Sequence, residues 1–218
     1  ETDVGEISAV NIINCAGLQA DEVARMMGVD IGVRIIPFRG EYFSIVPEKA
    51  HMVKGLIYPV PDPNLPFLGV HFTRRVNGSV EAGPNAVFSF AKEGYSKTNI
   101  NFKDTFGALT YSGFWKMSAK YWKVGFSEQY RSAVKRVFVK SLQTLMPEIT
   151  SNDLAEPGAG VRAQAVDKNG QLLQDFSIAE TENAIHVINA PSPGATSSLS
   201  ISRYIVDMAN KSFGLSST

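Results

Sequence analysis

The feature that most constrains the fold of this 218-residue chain is a change of pattern along its length. Short β-like runs separated by Pro and Gly fill residues 33–90, and apolar and aromatic residues at helical spacing follow over 104–146. Outside this middle part, strand-like runs lead through small-residue turns into helices, as in 10–14 followed by 18–27. We therefore predict an α+β or α/β protein, with a mainly antiparallel β-sheet and helices inserted between two α/β ends that could form one domain.

Short signals mark the turns and helix ends within this division. Asn77-Gly78 predicts a hairpin turn, and Asn169-Gly170 predicts a second turn that would pair strands 161–166 and 176–179. The last helix is predicted to open at 192–194, where a serine precedes proline and glycine.

Composition excludes several classes of protein. The chain has 21 basic and 21 acidic residues, which argues against a nucleic-acid partner. The single cysteine, Cys15, excludes an intrachain disulfide and a cysteine-rich metal site, so we predict no metal and a reducing, cytoplasmic location. No apolar run approaches the roughly 20 residues of a membrane span. Because the chain begins with Glu1 and not with methionine, we expect a fragment or a processed protein.

The turn after the first strand is a candidate nucleotide site. Asn14, Cys15, Ala16 and Gly17 end an apolar strand and lead into a helix, the place where α/β folds often receive a nucleotide. The alternative is a purely structural turn. Residues 158–163 match the dinucleotide fingerprint G-x-G-x-x-A, but their alternating pattern predicts a strand, so we do not interpret them as a phosphate-binding turn.

A second candidate turn precedes the last helix. Free backbone N–H groups at a helix start favour oxygen-rich ligands, and small side chains leave room for a flat ring. An ordinary capped helix is the alternative interpretation. The residues concerned, next to Ser192, are Pro193, Gly194, Ala195, Thr196 and Ser197.

Arginines are the candidates for binding an anionic substrate. Arg162 stands in a strand of small apolar residues, and its guanidinium can hold a carboxylate in a bidentate fork. Pairing with a structural acid is the alternative. Arg39, Arg74 and Arg75 could meet a second carboxylate, although solvated surface positions are the commoner role for such residues.

Three histidines are candidates for a general base. His71 faces away from its neighbours Val70 and Phe72 in a β-like run, and His186 precedes the second candidate turn. His51 lies in a polar stretch and is predicted to be at the surface. A neutral imidazole can abstract a proton from a hydroxyl, but a structural role is an equal alternative for each histidine.

The helical segment 114–140 is basic and aromatic. It holds seven basic residues against one acidic residue, Glu128, and includes Trp115 and Trp122. Such a segment can rest on an anionic membrane surface. The commoner interpretation is a solvated face over a core stripe.

Several ordered motifs are spread over nearly the whole chain: RGEY at 39–42, IYPVPDP at 57–63, PFLGVHFTR at 66–74, GPNA at 83–86, GVRAQ at 160–164 and NAPSPGATSS at 189–198. Through these motifs the chain resembles the L-2-hydroxyglutarate dehydrogenases (oxidases) of the D-amino-acid-oxidase-like flavoprotein superfamily.

The resemblance implies a division into domains. It assigns residues 1–30 to part of an FAD-binding domain, 31–149 to an inserted β-sheet substrate-binding domain, and 150–218 to the C-terminal part of the FAD-binding domain. It also implies flavin contacts for Asn14, Ala16 and Gly17 and for the second candidate turn, residues 193–197.

The resemblance also implies a reaction, in which L-2-hydroxyglutarate is oxidised to 2-oxoglutarate by hydride transfer to FAD. Arg162 would hold the substrate carboxylate, and Tyr58 belongs to a motif of the predicted substrate site. His71 or His186 would be the base, and Arg39 or Arg74 would meet the distal carboxylate. Oxygen or a membrane quinone would reoxidise the flavin, with a peripheral contact on the inner face of a membrane as an open alternative.

The family's opening strand and G-x-G-x-x-G turn do not occur in this sequence. We therefore expect FAD to bind the intact protein and not these 218 residues alone. Two alternatives stay open: a catalytically inert β-rich domain that binds a dicarboxylate or a partner, and a related flavoenzyme that acts on an amine or a glycerol phosphate.

Overall fold

The computed structural model describes residues 3, 5–60, 69–190 and 192–215, with the side chains of 156–157 left out. The helices and strands, in chain order, are β1 (Ile12–Asn14), α1 (Ala20–Met26), β2 (Val33–Ile45), β3 (Leu56–Ile57), β4 (His71–Arg74), β5 (Val80–Gly83), β6 (Val87–Phe88), α2 (Phe102–Leu109), α3 (Ser112–Ala133), α4 (Lys135–Leu142), β7 (Leu154–Asp167), β8 (Ser177–Glu180), β9 (Ala184–Asn189) and α5 (Ser198–Phe213). This is the mixed α/β architecture, with an antiparallel sheet and helices, that the sequence predicts.

The chain divides into two compact units. Unit 1 comprises Glu1–Ile35 and Leu173–Thr218, and unit 2 comprises Ile36–Leu172. The predicted domain boundaries fall instead after residues 30 and 149. The functions assigned to these parts stay predictions.

Unit 1 contains a three-stranded sheet in the order β1, β9, β8. β1 runs parallel to β9, with Asn14 opposite His186, and β8 runs antiparallel to β9. Apolar side chains of β9, among them Ile185, pack against Ile205 of α5. On α1, Ala20 and Ala24 are fully buried. The two ends of the chain thus form one hydrophobic unit around β9.

The pairing predicted for 161–166 with 176–179 is wrong. The turn itself is present, because Gly170 N–H donates to the Asp167 carbonyl over 3.0 Å. Next to this turn β7 forms an isolated bridge from Val166 to Leu172, and its partner strand is β2. The strand β8 pairs with β9 over four register positions instead.

Unit 2 is built on a six-stranded sheet in the order β3, β4, β5, β2, β6, with β7 paired to β2. β2 spans two runs that the sequence pattern separated, 33–36 and 42–46. β4 and β5 form the hairpin predicted at Asn77-Gly78, where Gly78 N–H donates to the Arg75 carbonyl over 2.9 Å. The predicted strand 67–72 lies partly outside the described residues.

Helices cover the sheet of unit 2. The helical pattern over 104–146 is confirmed by α2, α3 and α4. Phe138 and Leu142 of α4 pack with Phe72 and Ile149 in one apolar cluster, and a second cluster surrounds Ile36. These side chains alternate with polar ones at strand and helix periods, which is why the elements could be predicted.

Two local predictions at helix starts had different outcomes. Residues 158–163 lie within β7, so their glycines are not part of a phosphate-binding turn. The helix predicted to open at 192–194 starts only at Ser198, because Ser197 N–H donates to the Pro193 carbonyl over 3.0 Å and closes a separate turn first. Among the described helices, none is both long and apolar enough to cross a membrane.

Candidate functional site

The Asn14 side chain organises the turn that follows β1. Its Oδ1 accepts a hydrogen bond from Ala16 N–H (3.1 Å), and its Nδ2 donates to the Ala20 carbonyl (2.8 Å) and to His186 Nδ1 (3.0 Å). Asn14 is buried, whereas Ala16 and Gly17 are exposed, and Gly17 has a φ of 55°. The turn is therefore fixed at its base and presents small residues at its tip.

The second candidate turn starts from the same edge of the sheet. Because β1 and β9 are parallel, their carboxyl ends lie at one edge, and the segment after β9 leads into residues 193–197. Ala195 and Thr196 are exposed there, and Gly194 and Ser197 are half-buried. The structure thus places the carboxyl ends of the two strands that precede these turns at one edge of the sheet, where α/β proteins bind ligands.

His186 is fully buried within β9. Because Asn14 Nδ2 is a donor, His186 Nδ1 is the acceptor, and the proton of the neutral ring lies on Nε2. Burial also lowers the pKa of His186. Nε2 has no hydrogen-bond partner among the described residues. A donor in this position is poorly suited to accept a proton from a substrate.

His71 has the opposite tautomer. Its Nδ1 lies 3.0 Å from the Gly69 carbonyl, which can only accept, so Nδ1 carries the proton and Nε2 has a free lone pair. The residue is half-buried on β4, opposite Gly83 in the register, and it faces away from the buried Phe72. The geometry therefore favours His71 over His186 as the base.

Arg39 lies in a buried network inside unit 2. Its Nε and Nη2 donate to Glu41 Oε1 over 3.2 and 2.9 Å, and its Nη1 donates to the Ser96 carbonyl over 3.0 Å. Asn85 Nδ2 donates to Glu41 Oε2, and Asn85 Oδ1 accepts from Glu41 N–H, both over 2.9 Å. These contacts favour a structural role for Arg39 rather than the substrate contact expected from the sequence.

The charge of Glu41 completes this network. Burial acts to raise the pKa of its carboxyl, but hydrogen bonds with Ser132, Asn85 and Arg39 and the charge of Lys97 outweigh burial and lower it. Glu41 is therefore ionised and holds Arg39. Sequence analysis missed Glu41 and Asn85 as partners, although both lie in the RGEY and GPNA motifs, because no local pattern reveals a contact between residues so far apart in the chain.

Three further candidates lie in unit 2. Arg74 is exposed, and its Nη1 donates to the carbonyls of Ala50 (3.2 Å) and Val53 (3.0 Å), while Tyr58 is 55% exposed.

Arg162 is solvent-accessible on β7, and partial burial lowers the pKa of its guanidinium. β7 and β4 belong to one sheet, so Arg162 and His71 share it. A partly desolvated, accessible arginine is suited to bind a carboxylate.

Small-residue turns after the carboxyl ends of parallel strands are typical of α/β proteins that bind a nucleotide cofactor there. Within the described part of the chain, no group of three or more His, Cys, Asp or Glu side chains could hold a metal ion. The DAO family model, described as FAD dependent oxidoreductase, matches residues 1–208, and the chain belongs to this family.

Curated relatives are similar along nearly the whole chain. An L-2-hydroxyglutarate dehydrogenase of Indibacter alkaliphilus is 55% identical, over 97% of this chain and 53% of the relative. The mitochondrial L-2-hydroxyglutarate dehydrogenase of Caenorhabditis elegans is 46% identical, over 97% of this chain and 50% of the relative. The Escherichia coli K12 protein of the same name is 45% identical, over 93% and 48%. The chain thus spans about half the length of these relatives.

Solved structures support the fold alone. The L-alpha-glycerophosphate oxidase of Mycoplasma pneumoniae, with FAD bound, has a TM-score of 0.63 at 19% identity, covering 92% of this chain and 42% of its own. The glycerol-3-phosphate dehydrogenase of Bacillus halodurans, complexed with FAD, has a TM-score of 0.55 at 13% identity, covering 97% and 34%.

Proposed function

We propose that the longer protein to which this chain corresponds oxidises L-2-hydroxyglutarate to 2-oxoglutarate with FAD as cofactor. The observation that supports this most strongly is the identity of 45–55% with relatives that carry the name L-2-hydroxyglutarate dehydrogenase. The match to the DAO family model supports FAD as the cofactor.

Residues of unit 1 fit a flavin. Ala16 and Gly17, together with Ala195 and Thr196, are small and exposed, and they follow strands whose carboxyl ends share an edge. The flat flavin ring and its oxygen atoms can approach the protein backbone at such positions, because no bulky side chains stand in the way. When bound, FAD supplies the acceptor for the hydride. The described residues contribute no glycine-rich turn between a strand and a helix, so they account for part of a flavin site.

Residues of unit 2 fit the substrate. The Arg162 guanidinium would hold the carboxylate beside the carbon that bears the hydroxyl, and His71 Nε2 would take the hydroxyl proton while the hydride leaves that carbon. The phenol of Tyr58 would donate a hydrogen bond to the substrate. For the distal carboxylate, Arg74 is the better of the two predicted arginines, because Arg39 is already paired with Glu41.

We further propose that oxygen or a membrane quinone takes the electrons from the flavin, and that the protein makes a peripheral contact with the inner face of a membrane. The support for this contact is the surface of α3, which carries exposed lysines and aromatic side chains. Such helices lie in the interfacial region of bilayers.

A substrate panel on the full-length protein tests the proposed function. With an artificial electron acceptor, we expect turnover of L-2-hydroxyglutarate and none of glycerol 3-phosphate, sarcosine or glycine. Turnover of one of those three compounds in place of L-2-hydroxyglutarate would contradict the proposal and assign the protein to another substrate class. An inactive protein without a flavin spectrum would favour an inert binding domain.

A further inference from the structure

An unusually aromatic surface lies on α2 and α3. Trp115, Trp122 and Phe126 of α3 are 57%, 62% and 73% exposed. The helix is kinked at Tyr121, so Trp115 lies before the kink, and Trp122 and Phe126, four residues apart, share one side after it. On α2, Phe102 and Phe106 are 86% and 71% exposed. Trp115 Nε1 donates to the carbonyl of the last residue of α2 over 2.7 Å, which ties the two helices together. We call these five exposed side chains the aromatic face. Exposed apolar side chains in such numbers are typical of interaction sites.

Lysines flank the aromatic face. Lys116, Lys120 and Lys123 are exposed on α3, and Lys123 Nζ lies 5.7 Å from the ring centroid of Trp122. α3 has no acidic residue before Glu128, which is buried. The aromatic face is therefore bordered by positive charge that is not neutralised along the same helix. Exposed aromatic side chains bordered by lysines are complementary to an anionic lipid bilayer, whose apolar interior is covered by negatively charged headgroups.

A cavity opens beside this surface. Its volume is about 250 Å³, and Phe88, Phe114 and Met117 form part of its apolar wall. Trp122 and Phe126 also line it, and both are largely exposed, so the cavity is open on the side of the aromatic face. An apolar cavity of about 150 Å³ in a protein interior can bind benzene. This one has room for a larger apolar group.

The polar atoms of the cavity do not suit the proposed dicarboxylate substrate. The lining residues with polar side-chain atoms are Ser118, Tyr121, Trp122, Glu128 and Gln129. The Glu128 carboxylate accepts from Ala86 N–H over 3.0 Å and pairs with Arg131 over 2.6 Å. Glu128 is already paired with Arg131, and the lining itself contains no Lys, Arg or His side chain that could bind a carboxylate. The cavity therefore does not suit the dicarboxylate substrate.

We propose that this surface binds an anionic phospholipid bilayer, with the aromatic face in the interfacial region and the end of one acyl chain in the cavity. Lys120 and Lys123 would meet lipid phosphates. The proposal names a surface for the peripheral contact of the proposed function and rests on that contact, but it does not depend on the flavin chemistry.

Vesicle flotation of the full-length protein tests the docking. We expect binding to vesicles of phosphatidylcholine with phosphatidylglycerol, and little binding to phosphatidylcholine alone. Lys120→Gln and Lys123→Gln should each weaken binding about fivefold, the equivalent of about 1 kcal/mol per lysine. The doubly substituted Trp122→Ser, Phe126→Ser protein should lose it. Lys54→Gln and Tyr204→Ser, at exposed positions elsewhere in the chain, are the matched controls and should bind as the wild type does.

A soluble lipid tests the cavity. Dihexanoyl phosphatidylglycerol below its critical micelle concentration should change the tryptophan fluorescence of the full-length protein in a saturable way. Ser118→Leu, which fills the cavity, should weaken this binding about tenfold or more, the equivalent of ~1.4 kcal/mol. Ala119→Leu adds the same side chain at the next, exposed position and should leave the binding unchanged.

Specific results would overturn the proposal. Wild-type protein that fails to float with anionic vesicles, or that floats equally well after both lysine substitutions, would contradict the docking. Unchanged vesicle binding of the doubly substituted protein would contradict a role for Trp122 and Phe126 in the docking. Flavin reduction of the wild type, measured in parallel with a soluble acceptor, reports on the proposed function separately.

Discussion

Hydrogen-bond partners distinguish the two histidines that the sequence proposed as bases. His71 Nδ1 faces a carbonyl, whereas His186 Nδ1 faces an amide donor, so only His71 has a basic Nε2 in the neutral ring. We predict that His71→Gln in the full-length protein lowers kcat/KM for L-2-hydroxyglutarate by about 10²–10⁴-fold. His51→Gln is the control, since the exposed His51 also contacts a carbonyl through Nδ1. Equal kcat/KM values for the two variants would remove His71 from the mechanism.

His186 should make stability depend on pH. Burial lowers its pKa in the folded protein, whereas a histidine in the unfolded chain has a pKa of about 6.5. The unfolded state therefore binds more protons, and the stabilisation, complete above pH ~6.5, is lost as the pH falls toward the lowered pKa. Denaturant titrations should show a steeper loss of unfolding free energy below pH ~6.5 in the wild type than in His186→Gln. Identical pH slopes would be inconsistent with a buried neutral His186.

In the proposed mechanism, Arg162 holds the carboxylate beside the carbon that bears the hydroxyl. Arg162→Lys keeps the charge but loses the planar fork, so we predict a KM for L-2-hydroxyglutarate at least about tenfold higher, or ~1.4 kcal/mol. Arg75→Lys is the control, because Arg75 is exposed and paired with Glu81 over 2.6 Å. If the steady-state KM of Arg162→Lys matches that of the control, Arg162 does not hold the substrate.

At the level of helices and strands, prediction succeeded where the signal is local. The Asn77-Gly78 hairpin and the helices over 104–146 follow from turn chemistry and from the spacing of apolar residues. The partner of β8 could not be predicted, because strand pairing depends on which long-range ladder is more extensive. Periodicity also cannot show that residues 193–197 close their own turn before α5.

Gly83, the first residue of the GPNA motif, ends β5 at a position where close packing explains the glycine. Gly83 has a φ of 140°, and a Cβ there would lie 2.7 Å from the Glu41 carbonyl oxygen. We predict that Gly83→Ala lowers the unfolding free energy of the full-length protein by about 1–3 kcal/mol in denaturant titration. For the control Gly160→Ala in β7, where a Cβ would meet nothing within 4 Å, the change should stay below ~0.5 kcal/mol. If both substitutions changed the unfolding free energy by similar amounts, the backbone conformation at residue 83 would not require glycine.

For the whole molecule, the sequence predicted the class of fold, and its ordered motifs predicted the family. The candidate site could be predicted only in part. Residues 14–17 and 193–197 carry local turn signals, and the parallel pairing of β1 with β9 explains why both start from one edge. The Arg39 to Glu41 network required the packed structure, because it joins β2 to the loop that contains Asn85.

We propose that this chain is part of a flavoenzyme that oxidises L-2-hydroxyglutarate. Anaerobic addition of substrate to the full-length protein tests it most directly, with the flavin absorbance as the measurement. We expect L-2-hydroxyglutarate to bleach the flavin absorbance, and D-2-hydroxyglutarate and glycerol 3-phosphate to leave it unchanged. A protein without flavin absorbance, or one whose flavin is bleached by glycerol 3-phosphate and not by L-2-hydroxyglutarate, would contradict the claim.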